Sequence, residues 1–131
     1  MDENEGTALV ERFLRLMEKR DLAAAEALMA PGATIVFPGG KRFANQRDMV
    51  EAARGRYQWV EKHFACIDTM QQDGDTIVYV LGTLHGLNNH GVPFDGIRFI
   101  DRFVLRNGLI VSQEVWNDLA ESGALERQGE Q

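Results

Sequence analysis

The hydrophobic pattern of this chain changes its period near residue 62, and this change limits the folds open to it. In the segment 9–18 apolar residues recur with the spacing of an amphipathic helix. Beyond residue 62 apolar and polar residues alternate, as in extended strands. Three turn signals divide this second part into strands at roughly 62–72, 76–87, 92–106 and 109–117.

Local signals set the bounds of the elements in the first half. Asp21 is a suitable N-cap for a short second helix over 23–29, which a Pro-Gly pair ends. The run 33–37 predicts a short strand, and Asn45 predicts the start of a third helix whose apolar face includes Tyr57. Three helices with one early strand, followed by a meander of long antiparallel strands, predict an α+β fold.

Composition predicts a single globular domain and argues against nucleic acid, a metal or a cofactor as a partner. At 131 residues, with 44% apolar and 26% charged residues, the chain is long enough to bury a core without disulfides or a metal. A net charge of −6, with both signs interspersed, argues against nucleic-acid binding. The three His and one Cys lack any metal-ligand spacing, so we expect neither metal nor cofactor. We expect one domain over 1–131, with frayed ends at 1–5 and 124–131.

Three features predict a cytoplasmic protein. Cys66 is the only cysteine and forms no internal disulfide, which suits a reducing compartment. The N-terminus is acidic, whereas a secretory signal begins with basic and then apolar residues. No apolar run approaches the length of a membrane span, so we expect no membrane partner.

The two faces of the strand segment 97–106 differ in chemistry, because alternate residues of a strand share a face. The first face consists of Ile97, Phe99, Asp101, Phe103 and Leu105. The second consists of Arg98, Ile100, Arg102, Val104 and Arg106. On the first face Asp101 is a single carboxyl group in an apolar row, where its charge is costly unless it is paired or hydrated. The second face, mixed apolar and basic, predicts a homodimer that pairs through the sheet.

A two-residue turn at 107–108 predicts the register of the last hairpin. This register places Asp101 opposite Glu114, and cross-strand partners point to the same face. It therefore predicts one wall of carboxylates and aromatic rings, formed by Asp101, Glu114, Asp118, Phe99, Phe103 and Trp116. A slip of one residue turns every side chain of one strand to the other face, so the wall depends on this turn.

Several short motifs, in this order and spacing, resemble the SnoaL-like branch of the nuclear-transport-factor-2-like superfamily. They are Thr83-Leu84-His85-Gly86, Gly91-Val92-Pro93-Phe94-Asp95-Gly96, the run 103–110 and Trp116-Asn117-Asp118. The resemblance covers nearly the whole chain. It implies a cone-shaped fold, in which a curved mixed sheet wraps around N-terminal helices and leaves an internal pocket. Members include polyketide cyclases, ketosteroid isomerase, limonene epoxide hydrolase and domains without catalysis, so the fold alone does not transfer a reaction.

The resemblance implies roles for three residues as candidate catalytic groups. Asp118 resembles the acid that closes the last strand in the cyclases and the epoxide hydrolase. Asp101 resembles the protonated oxyanion-hole aspartate of ketosteroid isomerase, and His85 resembles a histidine of the cyclases. The base of the isomerase would fall near Phe37, which cannot abstract a proton, so steroid isomerase chemistry is not implied.

Each candidate also has a structural explanation. Asp101 and Glu114 are either a coupled pair with one protonated member, or carboxylates satisfied by arginine or water. Asp118 is either a general acid/base or the N-cap of a C-terminal turn. His85 is either a proton shuttle or a structural group. The candidate ligand-binding residues besides Glu114 either line the pocket or pack in the core: Trp116, Phe99, Phe37, Tyr57 and Trp59.

Two functions remain open at this point. The first is a cofactor-free acid/base enzyme, similar to a cyclase, lyase or isomerase, that acts on a hydrophobic carbonyl or polyketide-like compound. The alternative is a non-catalytic ligand-binding or dimerisation module of the same fold, with a small apolar ligand as its partner. An apolar cavity that contains carboxylates with perturbed pKa values favours the enzyme. A cavity filled by aromatic side chains favours the module.

Overall fold

The computed structural model describes residues 1–126. The first helix, α1, spans Glu3–Glu18 and begins with a capping box, in which Asp2 and Glu5 each accept a hydrogen bond from the other's backbone N–H. This helical start differs from the fraying expected over 1–5, because the capping box satisfies N–H groups that the first turn leaves unpaired. Of the second segment expected to fray, residues 127–131 lie outside the described range.

The other elements follow in the predicted order, with one additional short strand. They are α2 (Leu22–Glu26), β1 (Met29–Phe37), β2 (Lys41–Phe43), α3 (Gln46–Ala53), β3 (Tyr57–Gln72), β4 (Asp75–Asn88), β5 (Pro93–Arg106), β6 (Leu109–Asn117) and α4 (Leu119–Ser122). Asp21 and Asn45 are N-caps as predicted, since their side chains accept hydrogen bonds from backbone N–H groups of α2 and α3. Tyr57 begins β3 and is not part of the third helix, which ends at Ala53.

The six strands form one curved sheet in the order β2-β1-β6-β5-β4-β3. Among the described strands only β1 and β6 run parallel, so the sheet is mixed. With the N-terminal helices packed on it, the predicted α+β class is confirmed. Phe13 of α1 packs edge-on against Phe103 of β5, with ring centroids 5.8 Å apart, and both side chains are fully buried. The core therefore lies between the N-terminal helices and one face of the sheet. None of the described helices combines the length and apolar character that a bilayer span requires.

The two faces of β5 have the predicted burial. The side chains of the inner face, which packs on the helices, are all buried: Ile97, Phe99, Asp101, Phe103 and Leu105. Those of the outer face are exposed or half-buried: Arg98, Ile100, Arg102, Val104 and Arg106. The period-2 pattern was therefore sufficient to place Asp101 in the core.

The predicted register of the β5–β6 hairpin is wrong beyond its first two pairs. Leu105 pairs with Ile110 as expected, but Val104 pairs with Ser112, so Val111 is an extra residue in β6. Such a β-bulge shifts all later pairs by one position. Asp101 consequently lies opposite Val115, while Glu114 lies opposite Arg102 and Trp116 opposite Ile100. The bulge turns Glu114 and Trp116 to the outer face, and the predicted wall of three carboxylates does not form.

Candidate functional site

A cavity of ≈ 70 Å³ lies between the inner face of the sheet and the helices. Side chains from α1, β1, α3, α4 and strands β3 to β6 surround it, and most of them are apolar. Its polar and charged lining residues are Glu18, Arg20, Arg56, Tyr57, Lys62, Gln113 and Asn117. A small-molecule site is usually an apolar chamber with a few polar groups and a volume of about 300 to 1,000 Å³, so this cavity by itself holds only one end of a ligand. We call it the inner cavity.

A buried ion pair between β3 and β5 stands at the wall of the inner cavity. The Lys62 Nζ lies 2.7 Å from Asp101 Oδ2, and the side chains are 18% and 0% exposed. The ammonium group also lies 5.0 Å from the centre of the Phe99 ring, within the range of a cation–π interaction. An ammonium group has three N–H donors, so those not used by Asp101 are free to bind a ligand in the cavity.

Burial dominates the electrostatics of Asp101. Removal from water raises the pKa of its carboxyl group, while the charge and hydrogen bond of Lys62 act in the opposite direction without cancelling it. Its second oxygen, Oδ1, is buried and has no hydrogen-bond partner within residues 1–126. The hypothesis of a coupled Asp101–Glu114 pair is wrong, because Asp101 lies opposite Val115 and burial alone raises its pKa. The opposing cation is Lys62, and Glu114 takes no part.

Glu18, at the end of α1, is the one carboxylate among the described residues that line the inner cavity. One of its oxygens lies 2.8 Å from Arg15 Nη1, and the other accepts a hydrogen bond of 2.7 Å from the backbone N–H of Lys62. Glu18 is therefore held in place by α1 and β3 together. This geometry puts a carboxylate and an ammonium group on the same small chamber.

A second, larger concavity of ≈ 1200 Å³ opens to solvent beside the inner cavity. The two adjoin, because both are lined by Phe37, Met49, Arg56, Tyr57, Phe99 and Asn117. We call the larger space the outer concavity. It extends from the β1–β2 turn and α3 to side chains of the outer sheet face, including Trp116 and Asp118.

Asp118 lies on the outer concavity, away from Asp101. It occupies the N-cap position of α4 but makes no capping hydrogen bond with its side chain. Its carboxylate instead accepts a hydrogen bond of 2.6 Å from Arg98 Nε, and this contact raises the pKa of the Arg98 guanidinium. The oxygen of the Asn117 side chain accepts from the Leu119 N–H in its place. The side-chain capping role is thus excluded, and the acid/base role of Asp118 stays a prediction.

The candidate ligand-binding residues divide between the two faces of the sheet. Phe37, Tyr57 and Phe99 line the inner cavity. Trp116, 50% exposed, lines only the outer concavity, and Glu114 pairs with Arg102 at 3.4 Å on the outer face. The bulge in β6 is the physical reason for these two corrections.

His85 and Trp59 form a separate contact on the outer face. The imidazole Nε2 lies 3.2 Å from Glu61 Oε1, and the His85 and Trp59 rings meet edge-on at 6.0 Å. Leu84, the preceding residue on β4, is buried in the core, so His85 points away from it. Neither His85 nor Trp59 lines either cavity. A catalytic role for His85 at the inner cavity is therefore not supported by its position.

Sequence reasoning missed the charged groups that the fold brings to the inner cavity, namely Lys62, Glu18, Arg20 and Arg56. One signal was available for Lys62, which alternates with Val60 and Phe64 on the inward side of a strand. A lysine in such a position requires a partner, and Asp101 was the carboxylate in need of one. Within residues 1–126 no group of three or more His, Cys, Asp or Glu is arranged to hold a metal ion.

Helices packed on one face of a curved six-stranded sheet, with a cavity between the layers, define a fold of the nuclear-transport-factor-2-like class. A family model for the SnoaL-like domain matches residues 10–113, which is most of the chain. The protein therefore belongs to the SnoaL-like domain family, as its motifs predicted. Comparison with curated protein sequences gives no significant match.

Solved structures with similar folds support this assignment. An NTF2-like protein of unknown function from Burkholderia pseudomallei superposes with a TM-score of 0.76 at 18% identity, over 95% of this chain and 98% of its own. A protein assigned as a SnoaL-like polyketide cyclase from Jannaschia sp. CCS1 gives 0.70 at 14% identity, over 94% and 92%. TerC, crystallised with polyporic acid, gives 0.74 at 14% identity, over 92% and 97%. At these identities the likeness shows the fold alone.

Proposed function

We propose that the protein is a cofactor-free acid/base enzyme that acts on a small hydrophobic carbonyl compound, whose carbonyl end enters the inner cavity while the rest lies in the outer concavity. The observation that carries this proposal is the buried Lys62–Asp101 pair, which presents an ammonium group to a chamber lined mainly by apolar side chains. A buried ion pair is a weak source of stability, because desolvation of the two charges offsets their attraction. A functional role is therefore the better explanation for keeping it. Two neighbours that share the fold are assigned as polyketide cyclases, and we carry this class of chemistry over as part of the proposal.

The geometry is suited to proton transfer next to a carbonyl group. Glu18 accepts a proton from the carbon beside the carbonyl, and the electron pair of that C–H bond forms a C=C bond while the carbonyl π electrons move to oxygen. Lys62 donates a hydrogen bond to this oxygen, so its charge stabilises the enolate as it forms. Asp101, which lines neither cavity, positions the ammonium group of Lys62. Glu18 returns its proton to another carbon of a conjugated enolate to complete an isomerisation. In a ring closure the enolate carbon instead bonds to a second carbonyl carbon, the π electrons of that carbonyl move to its oxygen, and Glu18 returns its proton to this oxygen.

Exchange of the acidic C–H protons of tetralone in deuterated water tests this chemistry without knowledge of the natural substrate. We expect the wild type to accelerate the exchange, measured by proton NMR, and Lys62→Met to reduce the acceleration about 100-fold, a typical loss for one oxyanion donor. Lys62→Arg should retain part of it, since a charged donor remains. Lys19→Met, at an exposed position outside both cavities, is the matched control. Wild-type exchange no faster than in buffer, or equal rates in folded Lys62→Met, would contradict the proposal.

The outer sheet face favours a second function, that of a dimerisation module. Trp116 and Ile100 are 50% and 39% exposed and lie opposite each other on neighbouring strands. With Leu81 of β4 they form an apolar patch beside Arg98 and Arg102. Exposed apolar patches of this kind commonly mark contacts between protein chains. The register of β6 thus adds Trp116 to the face on which the sequence predicts a homodimer.

We expect the wild type to sediment as a dimer at micromolar concentration and Trp116→Glu to sediment as a monomer, because a charge in the apolar patch is desolvated on pairing. Met70→Glu places the same charge on an exposed apolar residue of β3 that shares the outer face but not the patch, in register with Ile77 and Val104, and it serves as the control for the patch itself. Circular dichroism verifies that both variants are folded. A monomeric wild type, or a Trp116→Glu variant that still dimerises, would exclude pairing through this patch.

A further inference from the structure

The wall of the inner cavity is positive although the molecule is negative. The formal net charge is −6, yet the charged lining residues are three cations and one carboxylate: Arg20, Arg56, Lys62 and Glu18. Glu18 is already neutralised by Arg15, and Lys62 by Asp101. Among the described residues, two guanidinium groups therefore remain without a carboxylate partner at this cavity. An excess of positive charge inside an acidic protein attracts an anion.

Arg56 differs from the other unpaired cations. Within residues 1–126 its side chain makes no salt bridge or hydrogen bond. Six further cations in that range lack a carboxylate partner, and all of them are exposed: Arg12, Lys19, Arg20, Lys41, Arg42 and Arg47. Arg56 alone among the seven is half-buried. A guanidinium group carries five N–H donors, and its partial removal from water is unfavourable unless a ligand satisfies them.

The position of Arg56 indicates which part of a ligand it would meet. It lines both the inner cavity and the outer concavity, and so stands where the two adjoin. Tyr57 and Phe99 line the same junction and offer an apolar surface. Of the carboxylates on the outer concavity, Asp118 is paired with Arg98, and Glu121 is exposed at the surface. No carboxylate of the described residues competes for Arg56 at the junction.

We propose that the substrate is a hydrophobic keto acid, whose carboxylate is bound by Arg56 at the opening while its carbonyl group lies against Lys62. The inference rests on the proposed function and adds a second, anionic group to the substrate. The planar fork of a guanidinium group matches the two oxygens of a carboxylate, which gives both charge and geometric selectivity. The ketone oxygen thus contacts Lys62 and the carboxylate contacts Arg56, with the apolar body of the molecule between them.

Paired ligands that differ only in charge test this inference. Naphthoate and naphthamide, and the smaller pair benzoate and benzamide, are titrated by calorimetry into the wild type, Arg56→Gln and Arg47→Gln. We expect the wild type to bind the acid of at least one pair about tenfold more tightly than its amide. Arg56→Gln should bind acid and amide equally. Arg47→Gln, which removes an exposed arginine outside both cavities, should keep the preference.

Three results overturn the inference: equal wild-type binding of acid and amide, a preference that survives Arg56→Gln, or binding of none of the four compounds. Its failure is distinguishable from that of the proposed function, because tetralone carries no carboxylate. If the wild type exchanges tetralone protons but shows no preference for acids, the keto-acid inference is rejected and the proposed acid/base function is retained. A preference for the acid that depends on Arg56, without tetralone exchange, supports the anion site and removes the enzyme.

Discussion

Lys62→Met is expected to lower the free energy of unfolding by about 3 to 5 kcal/mol at about pH 8, and by much less at about pH 5. The substitution keeps the length of the side chain but removes the charge, and it leaves Asp101 fully buried with no cation beside it. Burial already raises the pKa of this carboxyl group, and Lys62 is the group that lowers it. Without Lys62 the pKa of Asp101 rises further. The carboxyl group is then protonated at acidic pH, whereas at alkaline pH its unpaired buried charge destabilises the folded state.

The sign of this dependence follows from proton linkage. A folded-state pKa above the unfolded value means that the folded protein holds an extra proton. The resulting stability is fully present below the unfolded pKa, and it is lost as the pH rises through the folded value. In both wild type and Lys62→Met the contribution of Asp101 to the free energy of unfolding falls as the pH rises. The fall is larger in the variant, because the pKa of Asp101 is higher without Lys62.

Urea unfolding followed by circular dichroism at the two pH values measures the effect. The double variant Lys62→Met/Asp101→Asn is the control, because it removes the titrating group along with its partner. Its stability should lack the extra pH dependence of Lys62→Met. An equal loss at both pH values, or the same pH dependence in the double variant, would show that Asp101 is not the group that responds.

The sequence was informative wherever local rules decide the structure. Asp21 and Asn45 begin helices because their side chains satisfy N–H groups of the next turn. The alternation along β5 placed Asp101 in the core, because a strand with one apolar face buries that face against the helices. Each of these features depends on residues close together in the chain.

The register of β6 could not be obtained in the same way, because the turn at 107–108 fixes only the pairs next to it. The bulge at Val111 reverses the face to which every later side chain of β6 points. The spacing of apolar residues in β6 did indicate an irregularity. Ile110 and Val115 are both apolar in the sequence and buried in the structure, although an uninterrupted strand puts residues five apart on opposite faces. An apolar residue between Glu114 and Trp116 was therefore a sign that the alternation shifts.

The charged groups of the inner cavity depend on the tertiary fold. Lys62 lies on β3 and Asp101 on β5, with β4 between them, so no cross-strand pairing rule relates the two residues. Glu18 reaches the cavity from the end of α1, and Arg56 from the residues between α3 and β3. Only the curvature of the sheet around the helices brings these elements together. Resemblance to the family predicts the cone and its pocket but does not say which cations stand in it.

Gly82→Ala is expected to destabilise the fold by at least about 3 kcal/mol, because the backbone of β3 lies too close to Gly82 for any side chain. Gly82 of β4 faces Phe64 of β3 beside a bulge, and a Cβ at this position would lie well inside van der Waals contact with the backbone oxygen of His63. The clash is with backbone, so it can be relieved only by moving β3 away from β4. Lys62 lies next to His63 on β3, and such a movement would also draw it away from Asp101.

Gly55→Ala is the matched control, since a Cβ there meets no atom closer than 3.6 Å and the residue lies outside the sheet. Its stability should change by less than about 1 kcal/mol, with a gain if the lower entropy of the unfolded chain dominates. Urea unfolding compares the two variants on the same scale. If Gly82→Ala were as stable as Gly55→Ala, the sheet would tolerate a wider separation of β3 and β4. Cavity and ion pair would then not depend on the close approach of these strands at Gly82.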